Sequence, residues 1–91
     1  MDWTEIEKFL SRESLYRVID AIDEEPKNIA KIANLTGIRL EHVSKYVKEL
    51  VNMGYVINLT PNARKNKIFG LNESGSRILK EIKERKLLEK E

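Results

Sequence analysis

The sequence predicts one mainly α-helical domain that carries a single small β-hairpin just before its last helix. Apolar residues recur at helical spacing along most of the 91-residue chain, and the period changes to two only after Gly54. A hydrophobic content of 41% over this length supports one core and leaves no room for a second. We therefore expect a single domain over residues 1–91, made of an N-terminal helix over 1–10, a core over 12–72 and a C-terminal helix over 73–91.

Two helices are predicted before Pro26. Apolar residues at helical spacing form the first of them, namely Trp3, Ile6, Phe9 and Leu10. The second helix carries an i, i+3, i+4, i+7 stripe formed by Leu15, Val18, Ile19 and Ile22. We expect Ser11 or Ser14 to cap the second helix. It should stop at Glu25, because a proline disfavours helical geometry in the residue before it.

A helix, a tight turn and another helix follow. Asn28 stands where an N-cap belongs, and Gly37 supplies the left-handed conformation that turns the chain after a short helix. The next helical pattern runs over about residues 40–53, with Gly54 as its C-cap. The pattern predicts a helix-turn-helix unit.

The hairpin and a last helix complete the chain. β-branched and aromatic residues at 55–59 predict one strand, and residues 67–71 predict its partner. The turn-rich loop between them gives the hairpin a basic tip. Asn72 then caps a final helix over about residues 73–86, and Leu87 and Leu88 follow after a gap.

Three segments carry a resemblance to a known family. They are IAKIANLTGIRLEHVSKYVKELVNMGYV for the two helices and the strand start, TPNARKNKIFGL for the hairpin, and LNESGSRILKEI for the last helix. In this order they resemble the winged helix-turn-helix regulators of prokaryotes and archaea, with Asn72 replacing the threonine common in that family. The resemblance covers about residues 12–82. It implies a three-helical core with a two-stranded wing and extra terminal helices, and sequence-specific binding of double-stranded DNA in transcriptional regulation.

The net charge of +2 is unevenly distributed along the chain. Residues 1–25 carry eight acidic and three basic side chains, whereas residues 26–72 carry eight basic and only two acidic ones. Residues 73–91 are nearly balanced, with six basic and five acidic side chains. The basic middle segment predicts a surface that faces a polyanion.

The helix after Gly37 is expected to present a polar, cationic face to the DNA major groove. At about 100° per residue, Val43, Val47 and Leu50 share the sector that packs on the core. The opposite face carries Glu41, Ser44, Lys45, Lys48 and Asn52. Side chains of these types read base edges in the major groove. The alternative is an ordinary solvated helix face.

Each residue of this helix has an expected role. Arg39, at the helix entry, contacts guanine or clamps a phosphate, and Ser44 sits at the closest approach to the DNA. The two lysines of the polar face reach phosphates or guanine edges. Glu41 either accepts a hydrogen bond from cytosine or repels the backbone, and Leu40 either touches a thymine methyl group or packs.

The wing and the start of the preceding helix complete the predicted DNA-binding surface. Arg64, Lys65 and Lys67 suit a minor groove or its flanking phosphates, where electrostatic attraction dominates. The alternative is an edge hairpin that its charges protect from aggregation. Lys27 and Asn28 are expected to add phosphate contacts through the helix N-terminus.

Catalysis and metal binding have little support in the sequence. There is no cysteine, and the single histidine, His42, lies at the border between the two faces of its helix. No phosphate-binding glycine loop or nucleotide-binding glycine fingerprint is present. We therefore expect neither an enzyme nor a cofactor. The acidic N-terminus and the lack of an apolar run of about 20 residues predict a cytoplasmic protein.

The terminal helices offer more apolar surface than so small a core needs, namely Trp3, Ile6, Phe9, Ile78, Leu79, Ile82, Leu87 and Leu88. We expect a symmetric homodimer that pairs through these helices. Each protomer would place its recognition helix, the one that follows Gly37, in a major groove, and the two grooves would be roughly 34 Å apart. Two other functions stay open. One is a winged-helix module that binds protein, and the other is an RNA- or replication-associated nucleic-acid-binding protein.

Overall fold

The computed structural model describes residues 3–90 of the chain and the side chains of residues 3–88. Within that part the expected architecture is confirmed, with five helices and one two-stranded antiparallel sheet. The elements in chain order are α1 (Trp3–Ser11), α2 (Glu13–Glu24), α3 (Ile29–Thr36), α4 (Leu40–Asn52), β1 (Val56–Asn58), β2 (Phe69–Leu71) and α5 (Glu73–Lys90). Over residues 3–90, no helix has the length and apolar character that crossing a membrane requires.

The junction between α1 and α2 differs from the prediction. Neither Ser11 nor Ser14 caps α2, because Arg12 occupies the N-cap position and makes no side-chain hydrogen bond to the helix end. Ser11 ends α1 instead, where its hydroxyl donates to the carbonyl oxygen of Glu7 at 2.9 Å. Arg12 reaches α4 and donates two hydrogen bonds to the carboxylate of Glu49, at 2.5 and 2.9 Å. The N-cap residue of α2 therefore forms an ion pair with α4, whereas the sequence predicts a serine that caps α2 locally.

The turns that end α3 and α4 contain the predicted left-handed glycines, although Met53 and not Gly54 is the C-cap residue of α4. The side-chain oxygen of Asn28 accepts from the backbone N–H of Lys31 at 2.8 Å, which caps α3. Gly37 has a φ of 74°, and its N–H donates to the carbonyl oxygen of Ala33. Gly54 follows α4 with a φ of 85°. Glycine adopts this left-handed backbone without steric cost, so both turns are determined locally.

Both strands of the wing contain three residues, two fewer than predicted. Beyond β1, side chains replace regular pairing. The hydroxyl of Thr60 donates to the side-chain oxygen of Asn58 at 3.1 Å and accepts from the backbone N–H of Ile68 at 2.9 Å. One backbone bond, from the N–H of Leu59 to the carbonyl oxygen of Ile68 at 2.8 Å, extends the ladder. These contacts hold the two sides of the wing together at the base of its loop.

The core contains apolar side chains from both terminal helices. Ile6, Phe9, Ile78, Leu79 and Ile82 are each at most 3% exposed. The prediction that these five residues contribute to a dimer surface is therefore wrong. Since α5 packs on both α1 and α2, the five side chains are needed inside the domain. The remaining members of the predicted set are exposed, and they are Trp3, Leu87 and Leu88.

The last helix continues past residue 86, where its helical pattern was expected to end, and includes Leu87 and Leu88. Asn72 caps it as expected, since its side-chain oxygen accepts from the backbone N–H of Gly75 at 2.7 Å. Gly75 lies so close to the carbonyl oxygen of Tyr55 that a Cβ at this position would overlap it. Close approach of two backbones therefore explains the glycine in this segment.

Candidate nucleic-acid interface

The outer face of α4 is polar and exposed. Val43, Val47 and Leu50 are at most 1% exposed and belong to the core. Lys45 and Lys48 are exposed on the opposite side of the helix. The predicted division of this helix into two faces is therefore confirmed, and its cationic side is open to a ligand.

A groove of about 700 Å³ lies between α4, the start of α3 and the wing. It brings together six of the predicted DNA-binding residues, namely Asn28, Leu40, Ser44, Lys48, Arg64 and Lys67. Four asparagine side chains line it, namely Asn28, Asn52, Asn58 and Asn66. None of the described residues that line the groove is acidic, so the formal charges along it are all positive.

A second depression lies on the other flank of α4, between that helix and α1. Ser44, Lys48 and Asn52 line both the groove and this depression, so these three residues form a ridge between them. Lys45 and Glu41 line the depression and do not line the groove. The outer face of α4 is therefore a convex edge with a concave surface on each side.

Arg39 and Lys65 line neither concavity. Arg39 is the N-cap residue of α4, and its Nε lies 3.1 Å from a carboxylate oxygen of Glu41. The two side chains are 77% and 65% exposed. Solvent screens such a pair, which contributes at most about 1 kcal/mol. The guanidinium of Arg39 can therefore leave Glu41 for another anionic partner at little cost in free energy. Lys65 is exposed in the wing.

Lys27 does not contribute its side chain to this surface, which corrects the prediction. It is 4% exposed, and its ammonium donates to the carbonyl oxygens of Ala21 at 2.6 Å and Glu25 at 2.9 Å. Its backbone also pairs with that of Phe69 through N–O distances of 3.0 and 2.9 Å. A cation is favourable at this end of α2, where carbonyl groups lack helical partners. The ammonium is therefore occupied inside the protein.

Asn58 and Asn66 line the groove but are absent from the predicted contacts. Asn66 has a φ of 55°, a backbone conformation that asparagine tolerates better than most residues. Asn58 accepts from the backbone N–H of Thr60 at 2.9 Å. Asparagine is common in turns for these reasons, so its presence in a loop gives no signal of a binding surface. Asn52 also lines the groove, and helical periodicity had placed it on the polar face of α4.

The order and packing of these elements define the class of the protein. The consecutive helices α3 and α4 pack on each other and on α2, and the β1–β2 wing follows directly. This is the winged helix-turn-helix fold, as the resemblance in the sequence implied.

Known structures with the same fold agree with this assignment. No family model matches the sequence, and no curated protein matches it. Wild-type MarR from E. coli superposes with a TM-score of 0.73, at 18% identity, over 85% of this chain and 62% of that one. A MarR-family transcriptional regulator from Rhodococcus sp. RHA1 gives 0.68 at 28% identity, over 78% of this chain and 51% of that one.

A third neighbour was solved together with DNA. The transcriptional repressor CouR, bound to a 23-mer DNA duplex, gives a TM-score of 0.67 at 24% identity, over 76% of this chain and 50% of that one. This chain therefore spans between 50% and 62% of the length of the three structures. Two of these neighbours are named as a transcriptional regulator and a transcriptional repressor, and this chain shares their fold.

Proposed function

We propose that the protein regulates transcription by binding specific sequences of double-stranded DNA, with α4 in the major groove. The groove beside α4 carries this proposal, because it combines three cations with four amide side chains and includes no acidic residue among its described lining. Cations suit phosphates, and amides suit base edges. A B-DNA major groove about 12 Å wide admits one α-helix.

Roles within α4 follow from position. The ridge of Ser44, Lys48 and Asn52 lies between the two concavities on the outer face of α4, so it would meet base edges. Arg39 would exchange its exposed ion pair with Glu41 for a guanine or a phosphate. Glu41, once released, would accept a hydrogen bond from cytosine.

The wing would contact the DNA beside the major groove. Arg64 and Lys67 line the groove, and Lys65 is exposed nearby in the same loop. Cations on a loop bind phosphates or a minor groove with little dependence on sequence. Asn28 would add a contact from the start of α3, because it lines the groove while its side-chain oxygen caps that helix.

A homodimer that pairs through the terminal helices completes the proposal. Trp3, Leu87 and Leu88 are exposed by 46%, 67% and 63%, and they would give α1 and α5 an apolar surface for a second copy of the chain. Pairing through them would present two recognition helices to successive major grooves. Sedimentation that gives a monomer at tens of micromolar would contradict a constitutive dimer. We expect this regulator to act in the cytoplasm.

Fluorescence anisotropy with a random-sequence duplex, a single strand and an RNA, each titrated over a range of salt, tests the proposal. We expect duplex DNA to be preferred and its affinity to fall steeply with salt, because phosphate contacts release counterions. A preference for RNA or single strands would indicate the RNA- or replication-associated function. Absence of nucleic-acid binding would indicate a protein-binding module.

Specificity needs a second experiment. Selection of bound sequences from a random DNA pool should converge on one motif. Arg39→Ala or Lys45→Ala should weaken binding to that motif by about 1–3 kcal/mol where the contact is to a base. A pool that does not converge would contradict sequence-specific binding.

A further inference from the structure

Lys8 lies beside the outer face of α4, although α1 is not part of the helix-turn-helix. It lines the depression on the α1 side of α4 together with Lys45 and Lys48. The electrostatic environment of Glu49 agrees with this position of Lys8. Its pKa is lowered first by the hydrogen bond from Arg12, and the positive charges of Lys45 and Lys8 add to the effect. The packing of α1 on α2 thus brings a third lysine to the cationic side of α4.

The two carboxylates of this depression already have partners. Glu49 is paired with Arg12, and Glu41 is paired with Arg39. Within residues 3–88, none of the three lysines of the depression has a carboxylate oxygen within 4.0 Å. The depression therefore offers three ammonium groups that no acidic side chain of the described chain pairs directly.

The position of the ridge determines what these ammonium groups would meet. A helix is about 10–12 Å across and fits a major groove about 12 Å wide, so one phosphate backbone passes on each side of it. Arg64 and Lys67 line the concavity on the wing side of the ridge, and Lys8 and Lys45 line the one on the opposite side. Cations are thus present on both flanks.

We propose that Lys8 binds a DNA phosphate on the flank of α4 that faces away from the wing. This makes α1 part of the DNA-binding surface, and the inference rests on the proposed function. Each phosphate that a protein neutralises adds about 0.9 to the slope of log affinity against log salt concentration. Lys8 should account for one such increment on duplex DNA of any sequence.

The test compares Lys8→Gln with Lys80→Gln in anisotropy titrations on a random-sequence duplex. Lys80 is an exposed lysine on α5, outside both concavities, so the two variants lose the same charge in different places. Lys8→Gln should reduce the salt slope by about 0.9, whereas Lys80→Gln should leave it unchanged and Lys8→Arg should retain it. Thermal unfolding of each variant should show an intact fold, because both lysines are exposed.

Two outcomes overturn the inference, and they are distinguishable. If the unsubstituted protein binds duplex DNA and Lys8→Gln has the slope of Lys80→Gln, Lys8 makes no phosphate contact while the proposed function stands. If the unsubstituted protein does not bind duplex DNA, the proposed function fails and the role of Lys8 fails with it.

Discussion

Lys27 allows the contribution of a buried cation to this fold to be measured. The substitution Lys27→Met keeps most of the aliphatic side chain and removes the ammonium that donates to the carbonyl oxygens of Ala21 and Glu25. Hydrogen bonds from a charged group contribute about 1.5–3 kcal/mol each, or about 3–6 kcal/mol for the two. The variant no longer buries a charge, which offsets part of the loss. We expect the free energy of unfolding to fall by about 2–4 kcal/mol.

Urea denaturation followed by circular dichroism measures this change, and thermal unfolding gives a second estimate. For a domain of this size the expected loss lowers Tm by at least about 8 °C. The matched control is Lys31→Met, since Lys31 is an exposed lysine on α3 and its loss should change stability by less than about 0.5 kcal/mol. A Lys27→Met protein as stable as the Lys31→Met protein would refute the reasoning, because the ammonium contacts would then make no net contribution.

Three further predictions concern other parts of the molecule. Gly75→Ala should destabilise the domain by more than the same change at an exposed helical site, because its Cβ would overlap the carbonyl oxygen of Tyr55; unchanged urea denaturation would contradict this. Since Arg12 lowers the pKa of Glu49 from its ordinary 4.5, the pair stabilises the fold fully above that pH and loses its effect as the pH falls through the lowered pKa. As the pH falls below 4.5, Glu49→Gln should therefore lose less stability than the unsubstituted protein, and equal losses in acid denaturation would count against this expectation. Combined loss of the wing cations, as in the Arg64→Ala and Lys65→Ala double variant, should weaken all duplexes similarly and flatten the salt slope. An altered sequence preference in a selection experiment would show instead that the wing reads bases.

Local chemistry was sufficient to predict much of the fold. The cap at Asn28 and the left-handed turns at Gly37 and Gly54 depend on residues within one helical turn, so the sequence shows them directly. The inward face of α4 follows from periodicity alone. The polar face of α4 follows from the same periodicity, and Ser44 and Lys48, which were expected on that face, line the groove.

Features that depend on tertiary packing could not be predicted in this way. A lysine after a proline resembles a solvated charge in sequence, and only the pairing with Phe69 makes Lys27 a buried donor. Ile6 and Ile82 appeared to be surplus because the packing of α5 on α1 is not visible in either helix by itself. Lys8 was overlooked for the same reason, since its neighbours on α4 are distant in the chain.

The hydrogen bonds at the base of the wing loop have a consequence for evolution and for engineering. They join Asn58, Thr60 and Ile68, so the residues between Thr60 and Ile68 take no part in these hydrogen bonds. Loops of other length and charge can therefore be grafted between these two anchors while the scaffold stays the same. Under the proposed function, changes in this loop would alter the affinity for duplex DNA and leave the α4 contacts in place.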